Sequence, residues 1–219
     1  MFDSLKLRRA LEVFQPEYMK DFNDFWIWKN KVENQDTSIL DDKYIEVTHT
    51  TLYQILKGWQ TYRNGKNSNP SKTLKISLKN MRNDYDQIRK YTLLNFKDTS
   101  DFKLRMIWHE LGRVKEYEGE TNESGDYYAV AVTKPLLLLW GQTLAFETRV
   151  RRNLPRIHRV SAPDFRMGFS KWYEVMSSLS IELNESPEFI QEAQKISKEI
   201  YGEAAVIPYG RFLDIYFWI

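Results

Sequence analysis

The sequence predicts an all-α fold of about eight to ten helices in a compact bundle, and three observations carry that expectation. Period-two alternation of apolar and polar residues is scarce. Apolar residues instead recur three and four positions apart, and cap-like residues stand at the ends of these runs. The chain has 219 residues, 42% of them hydrophobic and 15% aromatic, enough for one sizeable domain or for two lobes with a cleft between them (1–95 and 96–219).

Taken in order, "SLKLRRALEVF" and "PEYMKDFNDFWIWKNKV" read as helices, with Pro16 suited to a first turn. "TTLYQILKGWQTYRNG" reads as a helix with a threonine cap, closed by Gly65, and "NSNPSK" as a polar connection. In "TLKISLKNMRNDYDQIRKYTLLNF" the helical face is Leu74, Leu78, Met81, Tyr85 and Ile88. "DTSDFKLRMIWHELGRV" starts at Thr99 or Ser100 and ends near Gly112, before a polar loop at about 116–126. "TKPLLLLW" reads as a short buried helix with Thr133 as cap and Pro135 in its first turn, and Glu147 stands where a further helix would begin. "SAPDFRMGFSKWYEVMSSLSIEL" has a capping-box-like start at Ser161 and Asp164, and "SPEFIQEAQKISKEIYG" repeats that grammar at Ser186 and Pro187. The last segment, "PYGRFLDIYFWI", is too apolar to hang free and is expected to dock into the core.

Composition narrows the chemistry. Without cysteine there are no disulfides, thiolate zinc sites, iron–sulfur clusters or cysteine nucleophile. His49, His109 and His158 are far apart, which argues against a histidine-rich metal site, and no cofactor is expected. "MFDSLKLRRALEVF" lacks the apolar core of a signal peptide, and the apolar run 136–140 is too short to span a bilayer. The expectation is a soluble, cytoplasmic protein with no membrane and no obligate protein partner.

The net charge of +2 hides segregation. No acid occurs from 47 to 83, where Lys57, Arg63, Lys66, Lys72, Lys75, Lys79 and Arg82 stand. None occurs from 148 to 163, where Arg149, Arg151, Arg152, Arg156 and Arg159 stand. Such blocks suit a cationic face for a polyanion; on a helical protein they also suit a solvated surface. Glu147 heads the second block. An ordinary first-turn glutamate would pair with Arg151 four residues on.

The residues "LAFETRVRR" resemble the catalytic segment of helix-hairpin-helix (HhH-GPD-like) DNA glycosylases. Ala145 and Phe146 match the apolar lead-in, Glu147 the catalytic acid, and Thr148, Val150 and Arg152 the tail. "VTKPLLLLW" is similar to the second helix of the hairpin, with Lys134 where bifunctional members carry an amine nucleophile, 13 residues before Glu147. Two features depart from the family: glutamate replaces the usual aspartate, and "YYAVAVT" replaces the glycine-rich turn. Residues 134–152 also resemble small bacterial glycosylases, some of which act in phage defence on glucosylated hydroxymethylcytosine.

The resemblance implies an enzyme that extrudes a modified or damaged base from DNA, as a duplex, and hydrolyses its N-glycosidic bond. An ionised carboxylate beside C1′ steadies the oxocarbenium ion that forms as the base departs, and orients or deprotonates water. A helix start and nearby arginines favour the ionised form of Glu147. Lys134, if desolvated, is the candidate for a Schiff base with C1′, and equally for a phosphate or base contact. The candidate phosphate grip is Arg63, Lys66, Lys72, Arg149, Arg151, Arg152, Arg156 and Arg159. Trp108, Tyr127, Tyr128 and Trp140, nearest in sequence to the centre, are the candidate base pocket, although most aromatics at helical spacing are core.

Two rival readings stand beside this one. "RNLPRIH" has the spacing of a metal-independent HEPN-type RNase, with His158 as base and Arg152 on the phosphorane; Pro155 interrupts the helix that motif needs. The other rival is a nucleic-acid-binding module without catalysis.

Overall fold

The computed structural model describes residues 2–14, 16–34, 36–63, 65–116, 126–155, 166–202 and 207–219, with the side chains of 16, 200 and 201 set aside. Among them the chain is all-α, as expected, with 71% helix. It has more helices than expected: eleven α-helices and one 3-10 helix, because several long periodic stretches are broken by turns.

The first two helices follow their signals. Helix α1 (Ser4–Val13) is capped by the Asp3 carboxylate, which accepts from Leu5 and Lys6, and α2 (Pro16–Glu33) opens on its proline. Helix α3 (Ile45–Gly58) begins earlier than the expected threonine cap, because 41–44 forms a turn whose Asp41 carbonyl accepts from Ile45 N–H. It ends seven residues before Gly65, where Gln60 takes a positive φ of 54°. Asn69 then caps α4 (Pro70–Asn80). The periodic run after Leu74 is cut at Met81 and again after Ile88, giving α5 (Arg82–Ile88) and the 3-10 helix Leu93–Asp98. Ser100 caps α6 (Asp101–Gly112) on its amide at Lys103.

Helix α7 (Ala129–Trp140) starts four residues before the expected cap. Thr133 is interior, and its hydroxyl donates to the Ala129 carbonyl at 2.7 Å. Pro135 likewise lies inside the helix rather than in its first turn. The preceding residues form β1 (Tyr127–Tyr128), paired antiparallel with β2 (Arg166–Met167) in the only sheet among the described residues. Helix α7 is apolar on almost every side and is the central helix of the bundle; Val130 and Lys134 are its only residues that are not buried. Helix α8 (Thr148–Asn153) follows. Helix α9 (Phe169–Asn184) starts well after Ser161 and Asp164, which lie outside the described residues, with Gly168 at its N-cap. Helix α10 (Pro187–Tyr201) has Ser186 and Pro187 at its start; the Ser186 hydroxyl donates back to the Glu182 carbonyl instead of capping.

The terminal segment forms α11 (Tyr209–Trp218), docked as its composition demands. It packs against α1, α8 and the turn after α7. That approach is close: a β-carbon on Gly210 would overlap the backbone of Gln142 and Thr143. Gly141 ends α7 at φ 74°, and a side chain there would run into the Pro208 ring and the Trp26 indole. Gly141→Ala is therefore expected to destabilise the fold by about 2–4 kcal/mol, from left-handed strain plus overpacking. A urea-denaturation midpoint close to wild type would contradict that packing.

Candidate active site

The route from Lys134 to Glu147 is held at nearly every step. Gly141 turns the chain out of α7. Gln142 Oε1 then accepts from Leu93 N–H at 2.8 Å, and Thr143 Oγ1 accepts from Trp172 Nε1 at 3.0 Å. Ala145 N–H donates to Asp214 Oδ1 at 2.8 Å, and the fully buried Phe146 turns back at a positive φ of 38°. Glu147 is the N-cap of α8, as its position suggests, yet its carboxylate does not cap its own helix. Instead Glu147 Oε2 lies 3.7 Å from Lys134 Nζ. Lys134 Nζ also donates to the Trp59 carbonyl at 3.2 Å.

These two groups share a hollow of about 20 Å³, the space of a single water molecule. Both line it with restricted exposure, 13% for the lysine side chain and 28% for the glutamate. Aromatic rings make its walls: buried Phe14 and Trp59, half-buried Tyr18 and Trp218. Arg211 and Asp214 complete it from α11. This pair is almost fully buried, with Arg211 Nη1 donating to Asp214 Oδ2 at 2.7 Å. The guanidinium stands over the rings of Phe14, Phe22 and Trp59, and its Nη2 reaches the Tyr18 carbonyl at 3.4 Å. Burial pushes the Asp214 carboxyl up from its ordinary value; Arg211 and the Ala145 N–H pull it down, and the charge of Glu147 adds to the rise.

Arg211, Asp214 and the four wall aromatics come from segments far from 134–152 in sequence, so no local motif marks them. The one available signal is an arginine and an aspartate three residues apart within the apolar "GRFLDIYFWI".

The residues expected to form a base pocket are placed elsewhere. Trp108 is wholly buried against Phe169 and Trp172, and Trp140 is buried with its Nε1 donating to the Tyr91 carbonyl. Tyr127 is buried too, its ring over Gly112 and its hydroxyl 3.2 Å from His109 Nδ1. Half-buried Tyr128 lies under the charges of Lys115 and Arg166.

The expected phosphate grip is divided. Arg63, Lys66, Lys72, Arg149 and Arg152 are exposed. Arg149 stacks over the Trp218 ring at 4.3 Å, and Trp218 walls the hollow. Trp59 walls it too and begins the connection that carries Arg63 and Lys66. Arg149 thus stands against one wall of the hollow, while Arg63 and Lys66 follow another wall, Trp59, in sequence. Arg151 differs: it is 4% exposed, burial depresses its pKa, and in this position it does not present a phosphate-binding surface. Arg156 and Arg159 lie outside the described residues, as does His158. Helix α8 ends at Asn153, and Leu154 is already extended at ψ 143° ahead of Pro155. The helix that carries Arg152 therefore stops short of Pro155.

Among the described residues there is no cluster of metal-ligating side chains, and no helix is long and apolar enough to cross a membrane. No protein-family model, curated protein or solved structure matches this chain.

Proposed function

We propose that this chain is a DNA glycosylase that extrudes a modified or damaged base and hydrolyses its N-glycosidic bond, acting in defence against phages with modified DNA. One observation carries the reading: a carboxylate and an amine, 13 residues apart in sequence, meet at 3.7 Å in an aromatic-walled hollow beside exposed arginine.

In this mechanism the bond from C1′ to the base breaks with its electron pair leaving on the base. Glu147 faces the positive charge that grows on the sugar, takes a proton from the attacking water, and the water oxygen closes onto C1′. Lys134 holds the Glu147 carboxylate in place in the resting enzyme. A base does not fit a space of about 20 Å³, so extrusion requires half-buried Tyr18 and Trp218 to swing outward and offer their faces for stacking. The direct test is incubation with duplexes carrying different modified or damaged bases, followed by alkali and identification of the freed base. Absence of alkali-labile sites on every substrate would remove the proposal.

Two further outcomes are expected. Five exposed cations (Arg63, Lys66, Lys72, Arg149 and Arg152) on five phosphates would cost roughly 500-fold in DNA affinity between about 50 and 200 mM salt. A flat response in a binding titration would show that these residues are not the interface. Hydrolysis by water also predicts that borohydride traps no enzyme–DNA adduct. A trapped adduct that vanishes in Lys134→Ala would make the lysine the nucleophile.

A further inference from the structure

Opening the Glu147 hollow needs one wall to move, and its four rings are not equally tied. Phe14 and Trp59 are buried. Half-buried Tyr18 lies against both, with ring centroids 6.5 and 5.8 Å away, and its carbonyl accepts from the Arg211 guanidinium. Trp218 is held less. It is half-buried, and among the described residues its ring meets one other aromatic, Phe14, edge-on at 5.0 Å. Over the same ring stands the Arg149 guanidinium at 4.3 Å.

Helix α8 controls the backbone here as well as the ring. Asn153 Nδ2 donates to the Phe217 carbonyl and to the Ile219 carbonyl, each at 3.0 Å. One amide thus pins the main chain on both sides of Trp218, while Arg149, from the first turn of the same helix, holds the indole. With the backbone fixed, the cheapest way to open the hollow is a change of the Trp218 rotamer, which leaves α11 intact.

Arg149 is exposed and pairs with no carboxylate among the described residues. Glu147, two residues earlier, turns to Lys134 and does not compete for it. An exposed cation–π contact is weak beside the paired, charge-assisted hydrogen bonds that a guanidinium makes to phosphate. A phosphate drawing Arg149 away removes the contact. A phosphate that pairs with Arg149 in place cancels most of the charge that attracts the indole face. Either event loosens the ring.

We propose that Arg149 is a phosphate-sensitive latch on the Glu147 hollow: a DNA phosphate that takes up its guanidinium frees the Trp218 ring to turn aside. This rests on the reading of the chain as a DNA-acting enzyme, and it makes Arg149 a positioning residue that acts through Trp218. Without DNA the hollow stays closed around Lys134 and Glu147. Loss of a contact of this strength raises the open population by roughly two- to fivefold.

The test is fluorine NMR of the full chain labelled with 5-fluorotryptophan at its seven tryptophans. Trp218→Phe identifies the Trp218 signal, and the remaining signals, unmoved, show that the fold is kept. An unmodified duplex is then titrated at low salt, with saturation followed by the anisotropy of a dye-labelled duplex. The Trp218 signal is expected to move toward that of free 5-fluorotryptophan in water as the duplex saturates, while the signals of buried Trp108 and Trp172 stay in place. Arg149→Gln is expected to shift the Trp218 signal in the same direction without DNA, and to remove most of the further shift on adding it. Three results would overturn the proposal: no duplex binds; a duplex saturates the chain and the Trp218 signal stays; or Arg149→Gln keeps both the wild-type signal and its response to DNA. Base release enters none of these measurements. A moving Trp218 signal with no alkali-labile site on any duplex would remove the glycosylase and keep the latch, and base release with a static signal would do the reverse.

Discussion

Glu147→Gln is expected to lower base release by about 100- to 10,000-fold while leaving DNA affinity close to wild type. The substitution keeps the size of the side chain and an oxygen that Lys134 can donate to, so the hollow and the start of α8 should survive. What disappears is the negative charge, and with it both the partner for a developing oxocarbenium ion and the base that deprotonates water. Affinity is expected to persist because the exposed cations Arg63, Lys66, Lys72, Arg149 and Arg152 lie outside the change. The measurement is single-turnover release of the base from the best duplex substrate, read as alkali-labile strand breaks, beside a binding isotherm at the same salt. Full activity in the variant would take Glu147 out of the mechanism. RNA cleavage that ignores Glu147 and needs Arg152 would favour the RNase alternative.

The helices that announced themselves did so through their ends. Pro16 opens α2 and Ser100 caps α6 as their positions in the sequence suggest, whereas the side-chain caps Asp3 and Asn69 were not singled out, and α4 begins at Pro70, inside the stretch expected as a polar connection. The start of α7 was not readable, because Ala129 has no polar cap before it; the preceding Tyr127–Tyr128 is fixed by pairing with Arg166–Met167, a partner nearly forty residues away. The same pairing delays α9 to Phe169. Within the site, Lys134 and Glu147 were legible as a lone lysine on an apolar helix and an acid at a helix start. The walls were not, since they are assembled from α1, α2, the end of α3 and α11. Nearness in sequence misled for Trp140: six residues from Lys134 on a helix is about 240° around the axis, so it faces another side of the bundle. It packs there against Phe96.

Asp214→Ala is expected to be the most destabilising single change at the site, costing about 3–5 kcal/mol, because it strands the buried Arg211 guanidinium without its carboxylate. The side chains are 2% and 3% exposed, so water does not replace the lost partner. The change also removes the acceptor for Ala145 N–H, which anchors the turn through Phe146 that presents Glu147. Asp214→Asn separates these effects: it retains an acceptor for Ala145 and loses only the charge, so its cost should fall below that of alanine. A pH series adds a sign. The folded Asp214 carboxyl is raised, chiefly by burial, so its contribution to stability is present below the ordinary aspartate value of about 3.9 and is lost as pH climbs through the folded value. Wild type should accordingly gain on Asp214→Asn as the pH is lowered into that window. Denaturant midpoints for the three proteins across pH measure all of this. Alanine and asparagine variants as stable as wild type would show that α11 is held by its apolar face alone, and that the Arg211–Asp214 pair does not support the turn bearing Glu147.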